Sequence, residues 1–178
     1  EGYALAKIVS LKYSQYIKKK YKKEFISLMP ANLYGEGDNF DLKSSHVLPA
    51  LVKKFIIAKI KNKPYVEVWG SGKVKREFLN VDDLSSAIYF IIKKKIKQDF
   101  INIGSGEHYS IRKIAIILKK ITGYSGKIFF NQKYPDGVKK RQLDSKIIKS
   151  LGWKPKINLE KGLEKYCNYY LEKIYPNE

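Results

Sequence analysis

The chain has 178 residues, 44% of them hydrophobic, which is enough to form the core of one domain of ordinary size. Lys and Arg number 36 against 17 Asp and Glu, giving a formal net charge of +19. There is no run of about eighteen apolar residues, so we expect no membrane-spanning segment, and the single Cys167, which permits no internal disulfide, fits a cytoplasmic protein.

Helix and strand signals alternate along the chain. In the first half we predict a helix at 3–20, a strand at 25–29, a loop at 33–39, a helix at 47–60 capped by Ser44 or Ser45, a strand at 65–69, a turn at 70–72 and a strand at 76–81. In the second half we predict a helix from Asp82 as N-cap to 95, a strand at 100–103, a helix at 110–121 opened by Ser110, a strand at 127–130, and helices at 143–151 and 159–174. This alternation predicts an α/β fold.

The positive charge invites a nucleic-acid interpretation. The basic clusters are Lys18–Lys20, Lys22–Lys23, Lys93–Lys95 and 139–141. However, the sequence has only three arginines, and sequence-specific readers usually depend on the bidentate donors of Arg. The clusters also fall at predicted helix ends, where cations complement the helix dipole and stay solvated. We therefore expect no nucleic-acid partner; steeply salt-dependent binding would identify one.

Tyr3 and Lys7 form a Y-x-x-x-K pattern near the start of the chain. Residues four apart on a helix share a face, so the two side chains are expected to lie together. An ammonium beside a phenol favours the phenolate and eases proton transfer to or from a substrate oxygen. The pattern is that of the acid/base pair needed to reduce a carbonyl with a hydride, although the spacing alone arises easily by chance.

Several further segments, taken in order with Tyr3–Lys7, resemble the GDP-L-fucose synthases of the extended short-chain dehydrogenase family. These segments are Met29-Pro30-Ala31-Asn32-Leu33-Tyr34-Gly35, Ser45-His46-Val47-Leu48-Pro49, Val68-Trp69-Gly70-Ser71-Gly72, Arg76-Glu77-Phe78-Leu79, Val81-Asp82-Asp83, Asn102-Ile103-Gly104-Ser105-Gly106, Pro135-Asp136-Gly137 and Leu151-Gly152-Trp153. The resemblance covers essentially the whole chain in register. It implies that the chain is the C-terminal part of such an enzyme. Residues 1–35 would then form the end of its NADP-binding Rossmann domain, a parallel sheet with helices. Residues 36–178 would form mainly a mixed α/β substrate-binding domain, with 76–103 packing back against the Rossmann part.

The resemblance also implies roles for individual residues. Tyr3 would protonate the C4 oxygen of the substrate, and Lys7 would lower the pKa of Tyr3 and hold the nicotinamide ribose of NADP(H). His46 would be the acid in epimerisation and lie near the cofactor; a histidine titrates in the right range, but one at a helix start can equally face solvent. The implied cofactor wall is Pro30, Ala31, Asn32 and Leu33, and the implied substrate contacts are Lys54, Trp69, Arg76 and Arg141.

For some other residues, the sequence favours a structural role over a functional one. From composition alone Trp69 is expected in the core, as is Cys167, while His108 is expected in a surface loop. Gly104-Ser105-Gly106 lacks the Lys-Ser/Thr of a phosphate-binding P-loop. Asp82 and Asp83 with Glu77 could suggest a metal, but a helix N-cap explains Asp82 more simply, and we expect no metal.

No G-x-x-G-x-x-G motif for a dinucleotide pyrophosphate occurs in the sequence, so we expect these residues to need an upstream half to reduce a substrate. The implied activity of the whole enzyme is NADPH-dependent conversion of GDP-4-keto-6-deoxy-D-mannose to GDP-L-fucose, and the implied assembly is a homodimer through the Tyr3–Lys7 helix. Two alternatives stay open: an enzyme for a related 4-keto nucleotide sugar such as a 6-deoxy-heptose, and a noncatalytic fragment that binds a nucleotide sugar.

Overall fold

The computed structural model describes residues 2–138 and 143–177. Its helices are α1 (Gly2–Tyr21), α2 (Val47–Ile60), α3 (Val81–Lys93), α4 (Ile111–Thr122), α5 (Lys146–Ser150) and α6 (Leu159–Tyr169). Its strands are β1 (Ser27–Pro30), β2 (Asn32–Tyr34), β3 (Tyr65–Trp69), β4 (Lys75–Asn80), β5 (Phe100–Ile103), β6 (His108–Ser110) and β7 (Lys127–Asn131). A π-helical turn (Tyr170–Ile174) and a 3-10 turn (Tyr175–Asn177) follow α6. None of the described helices is both long and apolar enough to cross a bilayer.

Parallel strand pairs joined by helices define the architecture and confirm the predicted α/β class. β1 pairs with β5, β2 with β4 and β3 with β7, all in parallel, while β6 adds to β4 in antiparallel orientation. In the β3–β7 pair the last residues of the two strands, Trp69 and Asn131, lie opposite each other. The turns after both strands therefore meet at one edge, which is where open α/β sheets place ligands.

The described helices and strands pack around two hydrophobic cores. The larger core lies between α2, α4 and α6, where Phe55, Leu118 and Leu163 are fully buried. The smaller core packs α3 and α5 against the β1–β5 pair around Ile101 and Ile148. β4 and β5, both within residues 76–103, pair with β2 and β1. The domain boundary near residue 35 itself stays a prediction.

Helix α1 confirms the helix predicted at 3–20 but contains no buried residue. Apolar side chains such as Leu5, Ile8 and Val9 are more than half exposed. Near its end, Lys18 Nζ forms an ion pair with Asp99 Oδ1 at 3.1 Å. Within the described residues, α1 therefore presents a long, apolar and lysine-rich surface.

Two predicted helix caps are wrong. The N-cap of α2 is His46, not Ser44 or Ser45, and its side chain makes no capping hydrogen bond. Ser44 instead donates its hydroxyl to Asp41 Oδ2 at 2.8 Å, in the turn before α2. The N-cap of α3 is Asn80, whose side-chain oxygen accepts the Asp82 N–H at 2.9 Å. The predicted cap at Ser110 is confirmed, since its hydroxyl accepts the N–H of Lys113, as an N-cap should.

The other differences between the predicted and the observed elements concern short strands and the ends of helices. The predicted loop at 33–39 begins inside β2, and β6, with only three residues, was not predicted. The helix predicted at 143–151 is shorter and runs from Lys146 to Ser150, while the N–H of Leu143 before it is bound to the Glu77 carboxylate of β4. The helix predicted at 159–174 changes to a π-helical turn after Tyr169.

The C-terminal helix α6 docks onto the loop after β2 through aromatic contacts. The Tyr166 hydroxyl donates to Asp38 Oδ2 at 2.7 Å, and its ring lies 5.0 Å from that of Phe40. Cys167 is buried in this region, as predicted, and burial raises the pKa of its thiol to about 12. Gly162 faces Tyr34, and a Cβ at Gly162 would overlap the Tyr34 hydroxyl.

The Gly162–Tyr34 contact predicts an unusual effect of alanine. In an ordinary helix interior, Gly→Ala gains about 0.5–1 kcal/mol. We expect Gly162→Ala to lose about 1–3 kcal/mol of unfolding free energy instead, because Tyr34 is 2% exposed and has no room to move aside. Urea unfolding measures this, with Lys165→Ala on the exposed face of α6 as the control. A Gly162→Ala protein more stable than the wild type would contradict the packing described.

Candidate functional site

Tyr3 and Lys7 lie on one face of α1, as their spacing predicts. The Lys7 ammonium is 5.3 Å from the centroid of the Tyr3 ring. The Tyr3 side chain is 78% exposed, so the phenol is open to solvent and to any bound molecule. The two side chains are thus neighbours on an exposed surface; their catalytic roles stay predictions.

The four predicted cofactor-wall residues run from the end of β1 into β2. The buried Ala31 donates its N–H to the Ile103 carbonyl oxygen at 2.9 Å, which joins this segment to the end of β5. Asn32 Nδ2 donates to the Glu77 carbonyl oxygen at 2.7 Å. Pro30 is exposed and Leu33 half-buried. The segment is thus a fixed wall at the carboxyl end of a parallel strand pair, a position where α/β proteins bind ligands.

His46 presents an exposed imidazole at the start of α2. Its backbone is extended, with φ −69° and ψ 168°, and its carbonyl oxygen accepts the Ala50 N–H at 3.2 Å. Lys54 lies two turns further along the same helix, about 12 Å of helical rise from His46. Tyr3, His46 and Lys54 therefore occupy three separate places, on α1, at the start of α2 and in the body of α2.

Lys54 and Trp69 are in direct contact. Lys54 Nζ lies 4.9 Å from the centroid of the indole ring and donates to the Glu67 carbonyl oxygen at 3.1 Å. Burial lowers the pKa of Lys54, and the nearby charge of Glu67 partly opposes this. Trp69 is 55% exposed, so the expectation from composition that it lies in the core is wrong. An exposed indole next to a partly buried ammonium is a surface that can receive a ligand.

The turn after β3 is bound to the segment that follows β7. The backbone N–H and the hydroxyl of Ser71 donate to the carboxylate of Asp136 at 2.9 and 2.6 Å. These bonds hold the pKa of Asp136 below its usual range. Gly70 has φ +80°, and a Cβ there would overlap the Asp136 carboxylate. The two turns are thereby fixed against each other.

Arg76 contacts the same segment further on. Its Nη1 donates to the Val138 carbonyl oxygen at 2.7 Å and to the Lys75 carbonyl oxygen at 2.8 Å. Lys54, Trp69 and Arg76 are thus grouped around residues 131–138. The fourth predicted substrate residue, Arg141, lies outside the described residues.

Glu77 is the main residue of the site that the sequence did not reveal. Its side chain is buried, and its carboxylate accepts the Gly106 N–H at 2.7 Å and the Leu143 N–H at 3.2 Å. His108 Nε2 lies 3.7 Å from Glu77 Oε2. The prediction that His108 is a surface-loop residue is therefore wrong, because it is half-buried in β6. The sequence gives no signal for this role, because Glu77 follows the charged Lys75 and Arg76 in β4.

The acidic residues near α3 have structural partners. Asp83 is buried, and its two carboxylate oxygens accept the N–H groups of Lys156 and Ile157 at 2.9 and 3.0 Å. Asp82 lies in the first turn of α3, where a negative charge complements the helix dipole. Over residues 2–138 and 143–177 no group of three or more His, Cys, Asp or Glu side chains could hold a metal ion.

The sequence of this chain matches a known family. Residues 1–104 match the model of the NAD dependent epimerase/dehydratase family. The chain belongs to this family. The resemblance inferred from the motifs is confirmed by a GDP-L-fucose synthase of Sinorhizobium fredii, which is 44% identical to the chain over 177 residues. The aligned region covers 99% of the chain and 56% of that relative, so the chain spans about half the length of the curated relatives it matches.

Solved structures of the same kind share the fold. A GDP-6-OMe-4-keto-L-xylo-heptose reductase from C. jejuni is 35% identical, covers 94% of the chain, and has a TM-score of 0.85; the chain covers 59% of that structure. A GDP-L-fucose synthetase from Naegleria fowleri, solved with NADP bound, is 25% identical with a TM-score of 0.89. This match covers 97% of the chain and 56% of that structure. These matches confirm the extended short-chain dehydrogenase type of fold.

The contacts of Glu77 predict a large effect of a small substitution. In Glu77→Gln, an amide NH₂ replaces one carboxylate oxygen, so the N–H of either Gly106 or Leu143 loses its acceptor inside the fold. We expect the unfolding free energy to fall by about 1–3 kcal/mol. Urea unfolding measures it, with Glu164→Gln on the exposed face of α6 as the control. Equal stability of the two variants would show that the Glu77 contacts are not stabilising.

Proposed function

We propose that this chain forms the substrate-binding part of an NADPH-dependent epimerase/reductase that converts GDP-4-keto-6-deoxy-D-mannose to GDP-L-fucose. The observation that carries the proposal is the group of Lys54, Trp69 and Arg76 around residues 131–138. Two cations and an exposed indole suit a nucleoside diphosphate, which has negative phosphates and a flat base. The 44% identity to a GDP-L-fucose synthase supports this choice of nucleotide.

The reduction step uses the pair on α1. Tyr3 donates its phenolic proton to the C4 oxygen of the keto sugar, and Lys7 stabilises the phenolate that results. The exposure of Tyr3 and the 5.3 Å separation of the ammonium from the ring fit these roles. NADPH, when bound, supplies the hydride. Lys7, Pro30, Ala31, Asn32, Leu33 and His46 are the residues of this chain that would hold its nicotinamide end.

The residues present suit that end of the cofactor. Ala31 and Asn32 have their own hydrogen bonds to Ile103 and Glu77, so this wall is rigid before any ligand binds. It follows the carboxyl end of β1, as expected for a dinucleotide site. The complete reaction is proposed for the whole protein, since the chain corresponds to about half of its relatives.

His46 is the proposed acid of the epimerisation. Inversion at a carbon next to a ketone requires a proton to be removed and another to be returned. An imidazole titrates near neutral pH and can supply the second proton. The His46 side chain is exposed and makes no capping hydrogen bond, so its imidazole is accessible to a ligand.

A second candidate is a reductase for another GDP-linked keto sugar. The 35% identity to a C. jejuni heptose reductase favours it, because residues that hold the nucleotide do not distinguish the sugars. A mixture of GDP-4-keto sugars offered to the full-length protein separates the two. A nucleotide-sugar-binding fragment without catalysis would bind GDP compounds but release no product from either.

The assembly and setting are part of the proposal. We propose a homodimer in the cytoplasm, without nucleic acid or membrane as partners. The exposed apolar side chains of α1, including Leu5 and Val9, support self-association through this helix.

Thermal unfolding with ligands tests the proposed function. GDP and GDP-mannose at 100 times their dissociation constants should stabilise the chain by about 2.7 kcal/mol, and NADPH should have little effect. Arg76→Ala should weaken GDP binding by about 10- to 100-fold, because it removes charged hydrogen bonds to phosphate.

Lys113→Ala, which removes an exposed lysine of α4, is the control and should bind GDP like the wild type. Unfolding of Arg76→Ala without ligand shows whether the fold itself is intact. A chain that GDP does not stabilise at any concentration would contradict the proposed function.

A further inference from the structure

Two aromatic side chains, Trp69 and Tyr134, pack against each other on the surface of the candidate site. Neither belongs to one of the two hydrophobic cores. Trp69 and Tyr134 stack with their ring centroids 4.4 Å apart and an interplanar angle of 16°. Trp69 is 55% exposed and Tyr134 41% exposed, so the pair lies on the surface. An exposed aromatic pair beside cations is a surface that a ligand can cover.

The backbone fixes Tyr134 in this position. β7 runs beside β3, with Asn131 opposite Trp69, and the Tyr134 N–H donates to the Asn131 carbonyl oxygen at 3.3 Å. Two residues later, Asp136 is held by Ser71. The tight turn after β7 therefore returns Tyr134 over the indole. A pre-formed stack of this kind loses little conformational entropy when a ligand binds.

The surroundings of the pair indicate what could bind to it. Tyr134 covers one face of the Trp69 indole, and Lys54 Nζ lies 4.9 Å from the centroid of the same ring. A flat ligand would therefore meet the exposed tyrosine ring and the ring edges of the pair. The cations of Lys54, beside the indole, and of Arg76, bound to the Val138 carbonyl oxygen, suit phosphates. The chemistry that matches both features is a nucleoside diphosphate whose base stacks on an aromatic ring.

We infer that Tyr134 is a binding residue for the guanine base of the nucleotide, which rests on its ring beside Trp69. The inference rests on the proposed function and adds the group that recognises the base. Because every base has a π-face, this contact supplies affinity for a nucleotide over a bare diphosphate.

Calorimetric titrations with GDP and with inorganic pyrophosphate test this inference. Tyr134→Ala should weaken GDP binding by about tenfold, as expected for the loss of one stacked base, and leave pyrophosphate binding unchanged. Tyr134→Phe, which keeps the ring and removes only the hydroxyl, should retain the wild-type affinity for GDP. Tyr65→Ala is the matched control, because Tyr65 is an exposed aromatic residue at the opposite end of β3.

Three other outcomes of these titrations would overturn the inference. Wild-type GDP affinity in Tyr134→Ala would overturn the inference and leave the proposed function intact. An equal loss of GDP and pyrophosphate affinity would also overturn it, since Tyr134 would then act only by supporting the turn. If the wild-type chain binds pyrophosphate but not GDP, or neither, the proposed function and the inference both fail.

Discussion

The buried carboxylate of Glu77 is the interaction on which the arrangement of the candidate site depends. A charge that is 2% exposed is costly unless it is hydrogen-bonded, and Glu77 meets this condition by accepting the N–H groups of Gly106 and Leu143. These two groups belong to segments far apart in the sequence. The preceding residue, Arg76, points to the other face of β4 and binds the carbonyl oxygen of Val138. Two adjacent side chains of one strand thus fix Val138 and Leu143.

The parallel pairing of β3 with β7 explains why the residues of the candidate site meet. Because both strands run in the same direction, their carboxyl ends lie together and so do the turns that follow. Hydrogen bonds between Ser71 and Asp136 join these turns, and Lys54 approaches from α2. The β1–β5 pair repeats this arrangement at the proposed cofactor wall, where Ala31 bonds to Ile103. In the proposed function, the nucleotide sugar and the nicotinamide each lie at the carboxyl end of a parallel strand pair.

Much of the fold was predictable because local signals agree with it. α4 has a capping Ser110 and a left-handed Gly123 at its two ends, and β3 alternates buried and exposed residues. β6 escaped prediction because three residues show no periodicity. The caps of α2 and α3 were misplaced by one or two residues, because several polar residues near each start could serve and tertiary contacts select one. Short side chains such as Ser44 have other partners within reach.

The site was less predictable than the fold. The motifs around Trp69 and Arg76 predict substrate contacts, which stay predictions, although composition argued for a buried Trp69. The contacts of Glu77, His108 and Tyr134 are made with partners distant in the sequence. Glu77 is recognisable only when Leu143 and Gly106 are beside it, and Tyr134 only when β7 lies against β3. Single-residue patterns carry no information on such contacts.

Hydrogen exchange of the chain with and without GDP, followed by mass spectrometry, tests the central claim most directly. The claim is that the nucleotide binds where the turns after β3 and β7 meet. Slower exchange on addition of GDP is predicted in peptides covering 69–76 and 131–138, with no change in α1 or α5. Slower exchange in α1 or β1 without any in those two segments would contradict the account.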